Sequence, residues 1–255
     1  MKKPVYRDSS GKTLAEYDHP SVAVDTVALT YDENRGLQVL VVEGRDGRWA
    51  LPGTFLHEGE VLAEAVQRSL RGKVGVGGLQ PWQLKVFDAL DRDDRGWVLS
   101  VAHVCVIPVE LLANRDAERT RLLPAEEPGE LAYDHNEMFE LALTDLRARY
   151  DVAPDPDRLL EDTFTLRQLA LVHGAVAGDP ITPEELDTFR RYMQQHLKPT
   201  KEYDPDSRGR PARLFSRKAD PAEGRLTAEV RTGSALPGWR QRRPVTFRAS
   251  RTSGV

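Results

Sequence analysis

An α+β fold in two unequal parts is the class this sequence predicts, on three observations. Strand-period and helix-period apolar patterns alternate through residues 1–150, two short helical patterns around a tight turn follow, and the sign of the charge reverses between the parts. A chain of 255 residues, 40% apolar and 30% charged, is long enough for one sizeable core and a smaller second one.

The elements follow in order. Val22–Leu29 and Leu37–Val42 are rich in β-branched residues and flank Asp32-Glu-Asn-Arg-Gly36, which predicts a hairpin. Leu62, Ala65, Val66, Ser69 and Leu70 fall at helical spacing, so Val61–Lys73 is expected as an amphipathic helix. Strands are expected at Gln83–Leu90 and Val98–Ile107, on either side of a charged turn at Asp91–Gly96. Glu137–Arg149 reads as a helix, and Tyr150–Asp157 has the proline and aspartate content of a linker. Beyond it, helices are expected at Leu166–Ala177 and Pro183–Leu197, separated by Gly178-Asp-Pro-Ile181. Thr182 before Pro183, with Glu185 three residues on, is a capping-box start for the second of them. This is a helix-turn-helix outline, which many helical hairpins that bind no DNA share. The resulting division is an extension at 1–18, a mixed α/β domain at 19–150, a linker at 151–162, a helix-turn-helix domain at 163–218 and a basic, poorly ordered tail at 219–255.

The net charge of -4 conceals an asymmetry: up to Phe189 there are 20 Lys and Arg against 34 Asp and Glu, and after it 16 against 6. A basic C-terminal part suits a polyanionic partner, nucleic acid above all, although a solvated tail has the same composition. No apolar run is long enough for a membrane helix and the first residues have no apolar signal core, so a cytoplasmic protein without a membrane partner is expected. Cys105 is the single cysteine, in an apolar run, where a small buried side chain is expected rather than a redox thiol.

The segment Trp49–Val76 places a strand, a glycine-containing loop and a helix in the order of a Nudix box, which it resembles. Glu60 and Arg68 match that pattern with seven residues between them, as do Leu70, Gly75 and Val76, while the loop from Gly53 to Glu60 is one residue longer. In Nudix enzymes the helix glutamates jointly hold Mg2+ or Mn2+, which activates water and neutralises the pyrophosphate under attack. Here those positions are Ser69, Gly72 and Lys73, none of which is an anionic ligand. Hydrolysis by the usual route, a metal site and a cofactor are therefore not expected. Glu58, Glu60 and Glu64 remain, but Glu60 is left without its partners.

The resemblance extends to Gln83–His103, Ala132–Met138, Leu159–Leu169 and Arg208-Gly-Arg-Pro-Ala-Arg-Leu-Phe215, which together are similar to the Nudix-related transcriptional regulators of the NrtR type over residues 20–216. That family implies a Nudix α/β/α sandwich followed by a winged helix-turn-helix domain. It also implies a homodimer that binds double-stranded operator DNA, usually as a repressor, and a small-molecule effector. In some members the effector is ADP-ribose, linking regulation to NAD metabolism; related nucleotides or sugar phosphates are the other expectation here. For the effector site the candidates are Arg45, Arg48, Trp49, Glu60, Arg68 and Lys73. Arg68 suits a salt bridge pinning the loop to the helix better than it suits a ligand; Lys73 also suits a solvated face, and Trp49 the core.

For DNA the candidates on the second helix are Thr188, Arg190, Arg191, Gln194 and Gln195, opposite the apolar face of Leu186, Phe189, Tyr192, Met193 and Leu197. Lys198, Lys201 and Arg213 are placed near phosphates, and Arg208 and Arg210 flank a glycine in a pattern suited to a narrow minor groove. An ordinary solvated helix face and a charged turn are the bland readings of the same residues, with Glu184 and Asp187 in their favour. Two further functions stay open: a pyrophosphatase that recruits unconventional ligands such as Asp91, Asp93 and Asp94, which also suit a turn, and a ligand-binding adaptor for another protein.

Overall fold

The computed structural model describes residues 6–205 and 211–218. The first hairpin forms from β1 (Ser21–Asp32) and β2 (Gly36–Glu43). Its turn is set locally: the Asp32 carboxylate accepts the Asn34 and Arg35 amides at 2.9 and 3.0 Å, and Gly36 closes it at φ 73°, left-handed backbone that glycine adopts without strain. Five more strands complete one sheet: β3 (Trp49–Ala50), β4 (Gly53–Phe55), β5 (Trp82–Phe87), β6 (Val98–Val106) and β7 (Thr120–Pro124). The order is β3-β2-β1-β6-β5, with β4 also paired to β1 and β7 to β2. Among the described strands only β1 and β6 run parallel, from Ser21 opposite Val98 to Leu29 opposite Val106.

Both faces of the central strands are covered, which is why their sequences are apolar almost without interruption. Val24 and Ala28 point to the face covered by α1 (Leu62–Val74), meeting Ala65, Val66 and Leu70. Val27 and Leu29 point to the opposite face, where α2 (His135–Tyr150) supplies Met138, Phe139, Leu143 and Leu146. The result is an α/β/α sandwich. Helix α1 stops at Gly75, left-handed at φ 78°, where the Gly75 and Val76 amides reach back to the Arg71 and Leu70 carbonyls in a Schellman-type cap. Cys105 is buried at 1% exposure, and burial pushes its thiol up to about 12.

A second, smaller unit follows: β8 (Thr163–Phe164), α3 (Leu166–Ala177), α4 (Pro183–Gln194), β9 (Leu197–Tyr203) and β10 (Arg213–Arg217). The three strands form an antiparallel sheet in the order β8-β10-β9. Phe164, Leu169, Phe189, Met193, Leu197 and Phe215 make its core. Two helices followed by a β hairpin is the winged helix architecture.

Several boundaries shift by one to three residues, and two of the shifts have a physical reason. The second helix ends at Gln194, not Leu197; Leu197 starts β9, paired with Arg217, and reaches the same core from the strand. A side chain that lands in the core from either conformation cannot reveal by periodicity which one it has. The strand expected to reach Leu90 ends at Phe87, leaving Leu90 82% exposed among the charged residues of the following turn.

The two units meet through α3. Val172 and Val176 belong to the core beneath α2, whereas Leu169 and Ala170 belong to the winged helix core. Between them the rings of Tyr150, His173 and Phe189 stack edge-on, with centroids 5.2 Å apart at each step. The residues between α2 and β8 are tied down at Asp155, 2% exposed, which accepts the Tyr150 hydroxyl at 2.5 Å, the Leu159 amide at 3.0 Å and the Arg217 guanidinium of β10.

Candidate functional site

At the end of the larger sheet, the loop before α1 is held by a bidentate ion pair. Arg68 donates to both Glu60 oxygens at 2.8 and 2.9 Å, and also to the Phe55 carbonyl and the Thr54 hydroxyl. The guanidinium holds the Glu60 carboxyl down at about 2. With its fork filled, Arg68 pins the loop to the helix. Trp49 packs against the core beneath α2, with the Arg121 guanidinium 4.4 Å over its ring. Arg48 is exposed and bonded to Asp46 at 2.6 Å, its guanidinium carbon 5.8 Å from the Tyr133 ring.

Lys73 and Arg45 line one cleft of about 600 Å³, together with Arg71, Gly72, Asn114, Asp116 and Arg119. Thus the structure brings two of the six expected effector residues to a shared cavity, and Arg48, Trp49, Glu60 and Arg68 do not line it. The Lys73 side chain is exposed along its stem, but its ammonium turns inward to donate to the Gly53 carbonyl at 2.5 Å. Burial of the ammonium lowers its pKa, with the Asp25 charge acting in the opposite sense and the Arg95 charge in the same one. Of the other helix positions, Ser69 is 3% exposed and its hydroxyl has no hydrogen-bond partner, and a side chain at Gly72 would meet open space.

Next to Gly53 is a buried charge network that the sequence reading missed. Asp25, on β1, accepts the Ser100 hydroxyl at 2.6 Å and lies 3.5 Å from His135 Nε2 and 3.7 Å from Arg92. The Leu51 amide donates to His135 Nδ1 at 2.9 Å, which leaves the ring's Nε2 as the donor toward Asp25. Arg92, its side chain 3% exposed, forks onto Asp134 at 2.7 and 2.8 Å. Burial raises the Asp25 carboxyl, but His135, Ser100 and Arg92 together outweigh it and hold it below its usual value. One signal was available: an aspartate in the middle of Val22-Ala-Val-Asp-Thr-Val-Ala-Leu29 has to be partnered if the strand is buried. The rim adds Arg95, bonded to Asp93 at 2.5 and 2.8 Å and lying over the rings of Phe55 and Tyr133. Tyr133 is held at φ 59°, a strained conformation for an aromatic residue.

A divalent metal is the usual occupant of this loop-helix corner, and the residues present do not fit one. Ser69 and Gly72 offer no charge, Lys73 is a cation, Glu60 is engaged by Arg68, and Glu64 accepts the Val61 amide at 3.0 Å as a helix cap. Among the described residues, no group of three or more His, Cys, Asp or Glu side chains is placed to hold a metal ion. Asp91, Asp93 and Asp94 do not converge on the corner either; Asp93 is taken by Arg95, and Asp94 lies 3.8 Å from Arg45.

The second candidate surface lies on the smaller unit. Thr188, Arg191, Gln194, Lys198, Lys201 and Arg213 are exposed, as is Gln195 at the C-cap of α4. Arg190 is half-buried, 3.6 Å from Asp187, and Arg191 donates to the Asp187 carbonyl at 3.4 Å. Lys198 and Lys201 on β9 and Arg213 on β10 share one hairpin, the wing. Arg208 and Arg210 lie outside the described residues, as does the tail from 219. No helix among the described residues is long and apolar enough to cross a membrane.

A Nudix domain joined to a winged helix is the class that this fold and these surfaces define. The NUDIX domain family matches residues 19–142, and the NrtR DNA-binding winged helix domain family matches residues 157–216. The chain is 31% identical to Shewanella oneidensis NrtR solved in complex with a 27mer DNA; the superposition covers 77% of this chain and 93% of that one with a TM-score of 0.66. The ADPR responsive transcriptional repressor NtrR of Acinetobacter baylyi is 25% identical over 189 residues, 70% of this chain and 74% of the relative. An ADP-ribose pyrophosphatase of Methanocaldococcus jannaschii is 30% identical over 143 residues, 54% of this chain and 82% of the relative. The chain belongs to the NrtR family of Nudix-domain proteins.

Proposed function

We propose that the protein is a transcriptional repressor that binds operator DNA through α4 and the wing, as a homodimer, and responds to ADP-ribose or a related nucleotide or sugar phosphate bound in the cleft beside Lys73. The observation that carries the reading is the pairing of two surfaces in one chain: a helix presenting Thr188, Arg191 and Gln194 beside a basic wing, and a Nudix corner with Lys73 among its helix side chains. Arg and Gln hydrogen-bond base edges in the major groove, and Lys198, Lys201 and Arg213 suit flanking phosphates. A relative that is an ADPR responsive repressor supports the same assignment.

Helix α2 offers a route between the surfaces. Its first residue, His135, touches the Asp25 network, and its last, Tyr150, bonds the Asp155 to which the wing strand is tied. Its 16 residues span about 24 Å at the α-helical rise. A ligand that alters the first contact can bias the second, provided that it binds the two states with different affinity.

The test is a band-shift assay with the DNA upstream of the protein's own coding region, with bulk DNA as competitor and with and without ADP-ribose. Specific retention that the effector releases is expected; equal affinity for bulk DNA would sink the reading. Hydrolysis is the second reading, favoured by the pyrophosphatase relative. Release of AMP from ADP-ribose with Mg2+ would establish it, and we expect none.

A further inference from the structure

The wing strand delivers the chain to a fixed point beside the reading helix. At the end of β10 the Arg217 guanidinium donates to the Asp155 carboxylate and carbonyl and to the Leu160 and Glu161 carbonyls, and the backbone there is paired with Leu197 of β9. The next residue, Lys218, donates from Nζ to the carbonyl of Gln195, the C-cap of α4, at 2.6 Å, where a cation also complements the negative end of the helix. Residue 219 onward therefore leaves from the last turn of the helix that presents Arg191, Gln194 and Gln195, with Lys198 exposed on the neighbouring strand opposite Ser216. The sequence beyond that point is polarised. Residues 219–229 hold Asp220, Glu223 and Glu229 against Arg225 alone, whereas residues 230–255 hold six arginines, no lysine and no acid, four of the six between Arg240 and Arg248. Phosphate repels the acidic stretch, which makes it a spacer: eleven residues span at most about 40 Å, roughly one turn of duplex DNA. The arginines beyond it suit phosphate, since each guanidinium stays charged and forks onto two oxygens.

We propose that residues 230–255 are a second DNA contact, an arm that starts beside the reading helix and grips phosphates flanking the operator without reading bases. The proposal rests on the operator-binding reading above and adds to it a part that is independent of sequence. Charge alone would also fit the acidic residues of the larger unit; the start fixed at Arg217 and Lys218 favours DNA, because it sets the arm beside the duplex that α4 and the wing hold.

The experiment is fluorescence anisotropy of the full chain with the DNA upstream of its own coding region and with bulk DNA, between about 50 and 200 mM KCl. Arg240→Ser, Arg242→Ser, Arg243→Ser and Arg248→Ser are combined in one variant, and a second carries lysine at the same four positions; circular dichroism checks that both fold. The serine variant is expected to lose affinity for both DNAs by the same factor, roughly tenfold or more at the low-salt end, with a plot of log affinity against log salt shallower by about 2 to 4. The lysine variant, which keeps the charge, should recover most of that slope. A slope that the serine variant leaves unmoved, or a loss confined to the upstream DNA, overturns the inference while the regulator reading stands. Tighter DNA binding by the serine variant also overturns it, and places the arm on the acidic larger unit of its own chain. If the wild type binds neither DNA, the inference and the repressor reading fall together.

Discussion

Gly53 is the residue on which the ligand corner turns. A side-chain carbon there would lie 2.9 Å from the Val24 carbonyl and well inside contact distance of Asp25 Oδ1, and neither can withdraw without breaking β1 or the charge network. Gly53→Ala is expected to cost about 3 kcal/mol or more in urea denaturation, at the upper end of overpacking penalties, because it displaces a buried carboxylate as well as backbone. His173 gives a pH dependence. Burial lowers its pKa to about 4, with the hydrogen bond to the Pro154 carbonyl at 2.6 Å and the Asp155 charge acting in the opposite sense. The folded protein therefore holds this ring neutral while the unfolded chain protonates it near 6.5. Its contribution is complete above pH 6.5 and is lost as the pH falls toward 4, on the order of 3 kcal/mol over that window. Stability curves of wild type and His173→Gln should converge as the pH falls through it; parallel curves would refute the assignment. At this scale the sequence was legible where partners share a motif, as Glu60 and Arg68 do. It was silent on Asp25, whose partners Arg92, Ser100 and His135 come from distant segments that only the fold brings together.

Helices and strands were read from the sequence to different degrees, for a physical reason. Helix α4 carried its own start signal, Glu185 accepting the Thr182 amide at 2.9 Å as the capping box required, and α1 and α4 display clear apolar faces, whereas α2 begins after Asp134 without a side-chain cap. Strands of two or three residues, such as β3, β4 and β8, are too short to show a period of two; they exist because neighbouring strands supply their hydrogen bonds. Helix α3 has a cap whose value can be measured. The Thr165 hydroxyl accepts the Gln168 amide at 3.1 Å, and the Gln168 side chain accepts the Thr165 amide at 2.8 Å. Thr165→Ala should cost about 1 kcal/mol, detectable as a lower midpoint with an unchanged denaturant slope.

For the molecule as a whole, the charge reversal along the sequence pointed to a nucleic-acid partner, but it could not show how the two parts communicate. That is written in the contacts of Arg217, which leaves the wing strand to donate to Asp155, to the Leu160 carbonyl at 2.6 Å and to the Glu161 carbonyl at 3.1 Å. Arg217→Met would leave Asp155 buried with one fewer donor. The variant is expected to lose roughly 3 kcal/mol of stability and to bind ADP-ribose normally while its operator affinity responds less to it. An unchanged response would remove Asp155 from the route.

Because α3 lends Val172 and Val176 to one core and Leu169 and Ala170 to the other, no cut in the chain separates the two units cleanly. Ending the protein after Tyr150 would strip the sheet of apolar cover and strand Tyr150 without Asp155, so such a fragment is expected to aggregate on expression. Heating the intact chain should accordingly give one calorimetric transition, not two. Sensor and reader would then be lost in the same event, so a partly unfolded molecule could not go on holding DNA while deaf to its effector.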